Sequence, residues 1–169
     1  MTMKQNNTGF TLLELIIYMA LVAMMMSYLT PLAWNMILGS KKVVTQQELS
    51  TQARFVAERI KQEIRNASGI TTVSASSITL TSTVSAKNPT VIDISSGKIR
   101  VKWGTSPAIN LNSNDTTVPS LTFTNYSTTA NTTSKHIGFS FTLNTNYGSQ
   151  RKDYFQTVTI RSSAEVRSN

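Results

Sequence analysis

Glu14 is the side chain of this sequence whose placement most demands a chemical explanation. It stands near the start of an apolar run, residues 10–38, that contains no other acidic or basic group. A charged residue at the centre of a membrane helix costs about 2.5–3.5 kcal/mol on insertion scales. A carboxylate in such a setting needs a partner, and no basic residue inside the run supplies one.

Elsewhere the residue types that do chemistry are sparse. The single histidine, His136, heads a predicted strand with no acid near it in sequence and reads as a strand-edge or surface residue. With no cysteine in the chain, a thiolate metal site and a disulfide framework are both excluded, and neither a metal centre nor a nucleophilic triad is expected. Asp115, with Asn112 and Asn114, offers oxygen ligands to a loop calcium, but one carboxylate is thin support for a site. No glycine-rich phosphate loop is present, and no cofactor is expected. Lys98, Arg100 and Lys102 alternate along one predicted strand, with Trp103 adjacent. That pattern is either a solvated strand face or a ridge for an anionic ligand such as DNA, with phosphate contacts and base stacking. The formal net charge is +8. Residues 70–169 carry nine Lys and Arg against four acids, a net +5 that favours solubility and mildly favours anionic partners.

The apolar run is what must position Glu14. Its 29 residues exceed the ~20 that a membrane span needs. A buried core helix of that length does not suit a chain of 169 residues. A conventional signal peptide has a shorter apolar region followed by a small-residue cleavage site, and Leu32-Ala33-Trp34-Asn35 is a poor one. The run therefore reads as a retained membrane helix. Its orientation is not fixed by charge, because Lys4 lies on one side and Lys41 and Lys42 on the other. Pro31 interrupts the run, removes an i→i−4 hydrogen bond and loosens the helix there. Thr30 and Ser27 stand close enough in sequence to satisfy freed carbonyls.

Beyond Gly39 the polarity changes but the helical period continues. Leu49, Ala53, Val56, Ile60, Ile64 and Ala67 recur at steps of three and four, giving one apolar stripe, and Gly69 is the expected C-cap. A helix from Leu12 to Ala67 would extend about 84 Å at 1.5 Å per residue. From residue 70 the composition turns to Ser, Thr, Asn, Val and Ile. Alternating segments at 77–80, 91–94, 98–103, 121–123, 137–143 and 154–160 predict half-buried antiparallel strands. Ser95-Ser96-Gly97 predicts a hairpin turn, and residues 144–149 predict the turn between the last two strands. Residues 110–117 and 125–134 read as exposed loops; the glycosylation-like patterns at Asn125 and Asn131 carry no weight in so Asn- and Thr-rich a context.

The N-terminal residues resemble a known pattern. A short polar leader with Lys4, then Gly9-Phe10-Thr11-Leu12-Leu13-Glu14, then an apolar helix with Pro31, is similar to the class III signal of type IV prepilins and pseudopilins. The resemblance implies cleavage after Gly9 by a prepilin peptidase, N-methylation of Phe10 by the same enzyme, and pairing of Glu14 with the N-terminal amine of a neighbouring subunit. It also implies a segment near Pro31 that extends or melts when subunits pack into a filament. It places the C-terminal part outside the membrane. Residues 54–67 and 155–161 further resemble the long-helix end and the final strand of J-type minor pseudopilins and related minor pilins. Many pilins close a C-terminal loop with a disulfide, which this cysteine-free chain cannot do.

The expected fold class is α+β: a long N-terminal helix, membrane half plus amphipathic half, packed on an antiparallel β-sheet head. The expected divisions are a leader at 1–9, a transmembrane or filament-core helix at 10–38, its amphipathic continuation at 39–68, and the head at 69–169. The expected role is that of a non-enzymatic pilin or pseudopilin subunit of a type IV pilus-like or type II secretion filament. Its expected partners are homologous subunits, the prepilin peptidase and an inner-membrane assembly platform. The expected location is the cell membrane as a single-pass protein with an extracytoplasmic head, then the filament. The alternative is a membrane-tethered receptor that binds DNA or another anionic ligand through Lys98, Arg100, Lys102 and Trp103.

Overall fold

In the computed structural model, residues 10–127, 135–147 and 154–166 are described. The chain divides into two compact units, Met1–Lys41 and Lys42–Asn169. A single α-helix, α1 (Leu12–Asn66), supplies the described α-helical residues of both.

In the first unit the helix continues through Pro31. Nearly all its apolar side chains are exposed, and an 18-residue window is apolar enough to cross a membrane. Pro31 has no N–H to give the Ser27 carbonyl one turn back. The nearby hydroxyls do not replace it, contrary to expectation: Ser27 Oγ donates to the Ala23 carbonyl at 2.9 Å and Thr30 Oγ1 to the Met26 carbonyl at 2.8 Å. Each hydroxyl is drawn to the carbonyl four residues before its own position.

In the second unit the predicted stripe is the buried face of the helix. Leu49, Ala53, Val56, Ile60, Ile64 and Ala67 are all buried, joined by Ala57 and by the charged Glu63. They pack on two antiparallel sheets. The first runs β1 (Gly69–Val73), β2 (Ser77–Thr81), β3 (Thr90–Ser95), β4 (Lys98–Trp103), β5 (Ile109–Asn110), each strand beside the next. A short 3₁₀ turn at Ser85–Lys87 lies between β2 and β3. The second sheet is β6 (Thr116–Asn125), β7 (Lys135–Thr145), β8 (Thr157–Val166), with β7 central. The inward residues Ile78, Leu80, Ile92, Ile99 and Val101 of one sheet and Leu121, Phe123, Ile137, Phe139, Phe141 and Leu143 of the other join the helix face in one core. This is the α+β, pilin-like architecture.

Several local expectations are corrected. Gly69 is not a C-cap; it opens β1 and lacks the positive φ such a cap uses. The helix stops because the next residues are captured by the sheet, with Ser68 N and Oγ both donating to the Thr81 carbonyl at 2.8 and 3.1 Å. The Ser95-Ser96-Gly97 turn forms as expected, Ser96 at φ 52° and Gly97 at φ 70°, the pair of positive values that a two-residue hairpin turn needs. Residues 110–117 are not simply an exposed loop. Asn112 is buried, its Oδ1 accepting from Ile99 N at 2.9 Å and its Nδ2 donating to the Thr116 carbonyl at 3.1 Å. Its amide thus prolongs the β4 edge where the two-residue β5 ends. The last strand begins at Thr157 rather than 154, because Thr145 Oγ1 donates to the Tyr154 carbonyl and accepts from Gln156 N, both at 2.9 Å. It continues to Val166, where Ala164 and Val166 reach the core. Residues 128–134 and 148–149 of the expected loops lie outside the described residues.

Candidate functional site

Two groups of residues are candidates, one in each unit. The first is at the start of α1. Thr11 precedes the helix and its Oγ1 accepts from Glu14 N at 3.3 Å. Thr11-Leu12-Leu13-Glu14 therefore has the spacing of a capping box, and the acid also favours the positive end of the helix dipole. These local effects explain why an acid is tolerated there. They leave the carboxylate itself to find a partner, and it finds Tyr18, whose hydroxyl donates to Glu14 Oε1 at 3.1 Å. The Tyr18 ring in turn meets the Phe10 ring edge-on, with centroids 6.3 Å apart. Glu14 has no other side-chain partner among the described residues. Phe10, Glu14 and Tyr18 thus form one cluster on a helix face otherwise made of exposed apolar groups. Gly9 and Lys4 lie outside the described residues. Pro31 sits further along, inside the helix.

Tyr18 is the residue that sequence reading missed. The signal was present, because residues four apart are neighbours on a helix surface and a phenol is the nearest hydrogen-bond donor to Glu14 at that spacing.

The second group is on β4. The alternation is real but separates the proposed ligand contacts. Ile99, Val101 and Trp103 face the helix side, whereas Lys98, Arg100 and Lys102 take the other face. Trp103 is no part of a basic ridge. Its Nε1 donates to Glu63 Oε2 at 3.1 Å, and the Arg59 guanidinium lies 5.4 Å from its ring centroid while pairing with Glu63 at 3.0 Å. This Arg59–Glu63–Trp103 cluster explains how a glutamate comes to be 7% exposed: both its oxygens are engaged. Lys98 Nζ donates to the carbonyls of Ser113 and Thr116. Arg100 makes a two-pronged pair with Asp93 across the hairpin at 2.9 and 2.8 Å, and that hydrogen bonding holds the guanidinium above the usual arginine range. Lys102 is exposed and has no partner among the described residues.

His136 stands near the start of β7, the central strand of its sheet, opposite Glu165 in register, with its ring 6.1 Å from that of Tyr126. No group of three or more His, Asp or Glu suited to a metal ion occurs among the described residues. Of the three residues weighed for calcium, Asn112 spends its amide on the backbone of β4 and on Thr116.

Comparison with known families gives a match at the N-terminus. The profile of the prokaryotic N-terminal methylation motif covers residues 4–30. No curated protein and no solved structure matches the chain. The matched segment contains Gly9, Phe10, Glu14 and Tyr18 and the apolar run as far as residue 30. Such a signal implies processing by a prepilin peptidase and assembly with other pilin subunits, and with the apolar helix it points to a membrane-anchored protein. In its N-terminal residues and its helix-on-sheet architecture, this chain resembles a type IV prepilin-like protein.

Proposed function

We propose that this chain is a structural subunit, a pilin or pseudopilin, of a type IV pilus-like or type II secretion filament. It is inserted as a single-pass membrane protein with its head outside, cut after Gly9, methylated at Phe10, and assembled through the first half of α1. The observation that carries this reading is Glu14: the one acid of an apolar, largely exposed helical segment, lying inside the matched methylation motif. Cleavage creates an amine at Phe10. In a core of packed apolar helices the effective dielectric is low, so a carboxylate and an ammonium attract far more strongly than in water. Pairing Glu14 of one subunit with the amine of the next would satisfy both charges and set the axial register. Pro31 gives the packed helix a place to extend. Partners on this reading are sister subunits, the peptidase and an inner-membrane assembly platform.

The role is structural rather than enzymatic. The head gives little support to a receptor for DNA, since Lys98 and Arg100 already have partners within the chain and Trp103 faces the helix. The test has two parts. The intact mass of the membrane-extracted protein should lack residues 1–9 and gain one methyl group; a full-length mass rejects the reading. Glu14→Ala should insert normally but fail to enter filaments, and normal incorporation of that variant would falsify the pairing mechanism. Co-purification with sister subunits identifies the machine.

A further inference from the structure

We infer that Tyr18 is a positioning residue for Glu14, holding the carboxylate in the geometry that receives the neighbouring subunit's amine. The inference rests on the assembly role proposed above. Side chains on a helix lean towards its N-terminus, so a residue at i+4 reaches back over residue i. Tyr18 does this: its hydroxyl meets Glu14 Oε1 at 3.1 Å. The other oxygen, Oε2, has no partner among the described residues. One oxygen is therefore anchored within the subunit and the other is left to accept from outside.

The same contact serves two stages. In the bilayer the lone carboxylate has no cation, and a hydroxyl donor partly replaces the water it has lost; hydrogen bonds to charged groups are the stronger kind. During packing, the anchored rotamer spares the pair the cost of ordering the glutamate side chain at the moment of contact. The ring has its own support. Its edge-on contact with Phe10 at 6.3 Å ties the tyrosine to the residue whose nitrogen becomes the new N-terminus. Donor, acceptor and processed residue are thus linked side chain to side chain within the first turns of the helix. A leucine or valine at position 18 would suit the membrane as well, but neither could do this.

The test is Tyr18→Phe, which keeps the ring and its contact with Phe10 and removes only the hydroxyl. In cells that make the filament, the processed variant should reach the membrane in normal amount. Its share in the filament fraction should fall roughly tenfold, the size expected from losing a hydrogen bond to a charged group. Combined with Glu14→Gln, the Tyr18→Phe change should have no further effect, because the charge it serves is gone. A role of the hydroxyl that is independent of the Glu14 charge would instead add to the defect. A second readout uses the full chain in lipid vesicles with ¹³C-labelled glutamate carboxyls. The infrared carboxyl band of Glu14, assigned by its loss in Glu14→Gln, should shift in Tyr18→Phe. Normal incorporation of Tyr18→Phe while Glu14→Ala is excluded, an additive double variant, or an unshifted band each overturns the inference. Normal incorporation of Glu14→Ala instead overturns the underlying assembly reading.

Discussion

The two parts of α1 share one secondary structure and have opposite fates. Up to Lys41 nearly all the described apolar side chains are exposed: Met25 shows 66% of its surface and Leu21 53%. From Lys42 onward the apolar stripe is buried, with Val56, Ile60 and Ile64 at 0%. Polar residues on the opposite face of that second part explain the difference. An amphipathic helix completes its packing against its own sheets, whereas a helix that is apolar all round needs lipid or other helices for company. The acids tell the same story. Glu63 has its cation and its indole donor within the subunit, at 3.0 and 3.1 Å. Glu14 has a hydroxyl and no cation. One acid belongs to the fold, and in the proposed assembly the other takes its partner from outside it.

Identical substitutions in the two parts should therefore separate. Ile60→Asp buries an uncompensated carboxylate in the head core and should unfold the head, a loss of several kcal/mol against a typical total of about 5–15. Met25→Asp should leave head melting unchanged and instead impair insertion by about 2.5–3.5 kcal/mol. Thermal melting in detergent and membrane fractionation read the two effects, and equal loss of head stability by both would break the distinction.

The acids come next. Glu63→Ala leaves the Trp103 N–H unpaired in a nearly buried site and should cost about 1–3 kcal/mol of head stability. Glu63→Gln keeps the acceptor and should cost less, while Glu14→Ala should not move the head transition at all. A smaller contrast of sign concerns two glycines. Gly97→Ala puts a Cβ on a residue at φ 70°, against the Thr117 hydroxyl, and should cost about 1–2 kcal/mol. Gly39→Ala sits within the helix with open space around it and should raise helicity, by about 0.5–1 kcal/mol. Far-ultraviolet circular dichroism and head melting distinguish them.

The smallest effect is one of pH. The hydrogen bond from Lys61, with its charge, holds the Glu58 carboxyl below its usual value of 4.5. A depressed folded-state value stabilises the head above that range, and the contribution is lost as pH falls through it. Because Glu58 is fully exposed the contribution is slight. Melting between pH 6 and pH 3 should fall marginally less steeply in Glu58→Gln than in the parent chain; an unchanged or steeper slope removes the pair from the stability of the head.

Much of the head was legible because its signals are periodic. The helix stripe, β2, β3, β4 and the Ser96-Gly97 turn follow from residue spacing and turn chemistry over a few residues. β1 was missed because Gly69-Ile70-Thr71-Thr72-Val73 has no clear alternation and forms only when β2 captures the end of the helix. The last strand was placed too early because Tyr154-Phe155-Gln156 looks like a strand but ends up tied by the Thr145 hydroxyl. On β4 the alternation was correct and its use was not. Adjacency in sequence put Trp103 with the lysines, but a period of two sends neighbours to opposite faces.

By itself the sequence determined what an N-terminal helix of this composition offers: an apolar surface with no polar face, one carboxylate, and a Gly9-Phe10 junction that resembles a processing site. Those properties depend on residue type and spacing along a few turns, which survive in any surroundings. Only the tertiary structure decided which charges stay at home. Glu63 meets Trp103 across forty residues of chain, Lys98 caps carbonyls fifteen and eighteen residues away, and Arg100 finds Asp93 through the hairpin register. Such pairings are fixed by how helix and sheets pack, and no local pattern encodes the distance between groups that the chain brings together only on folding.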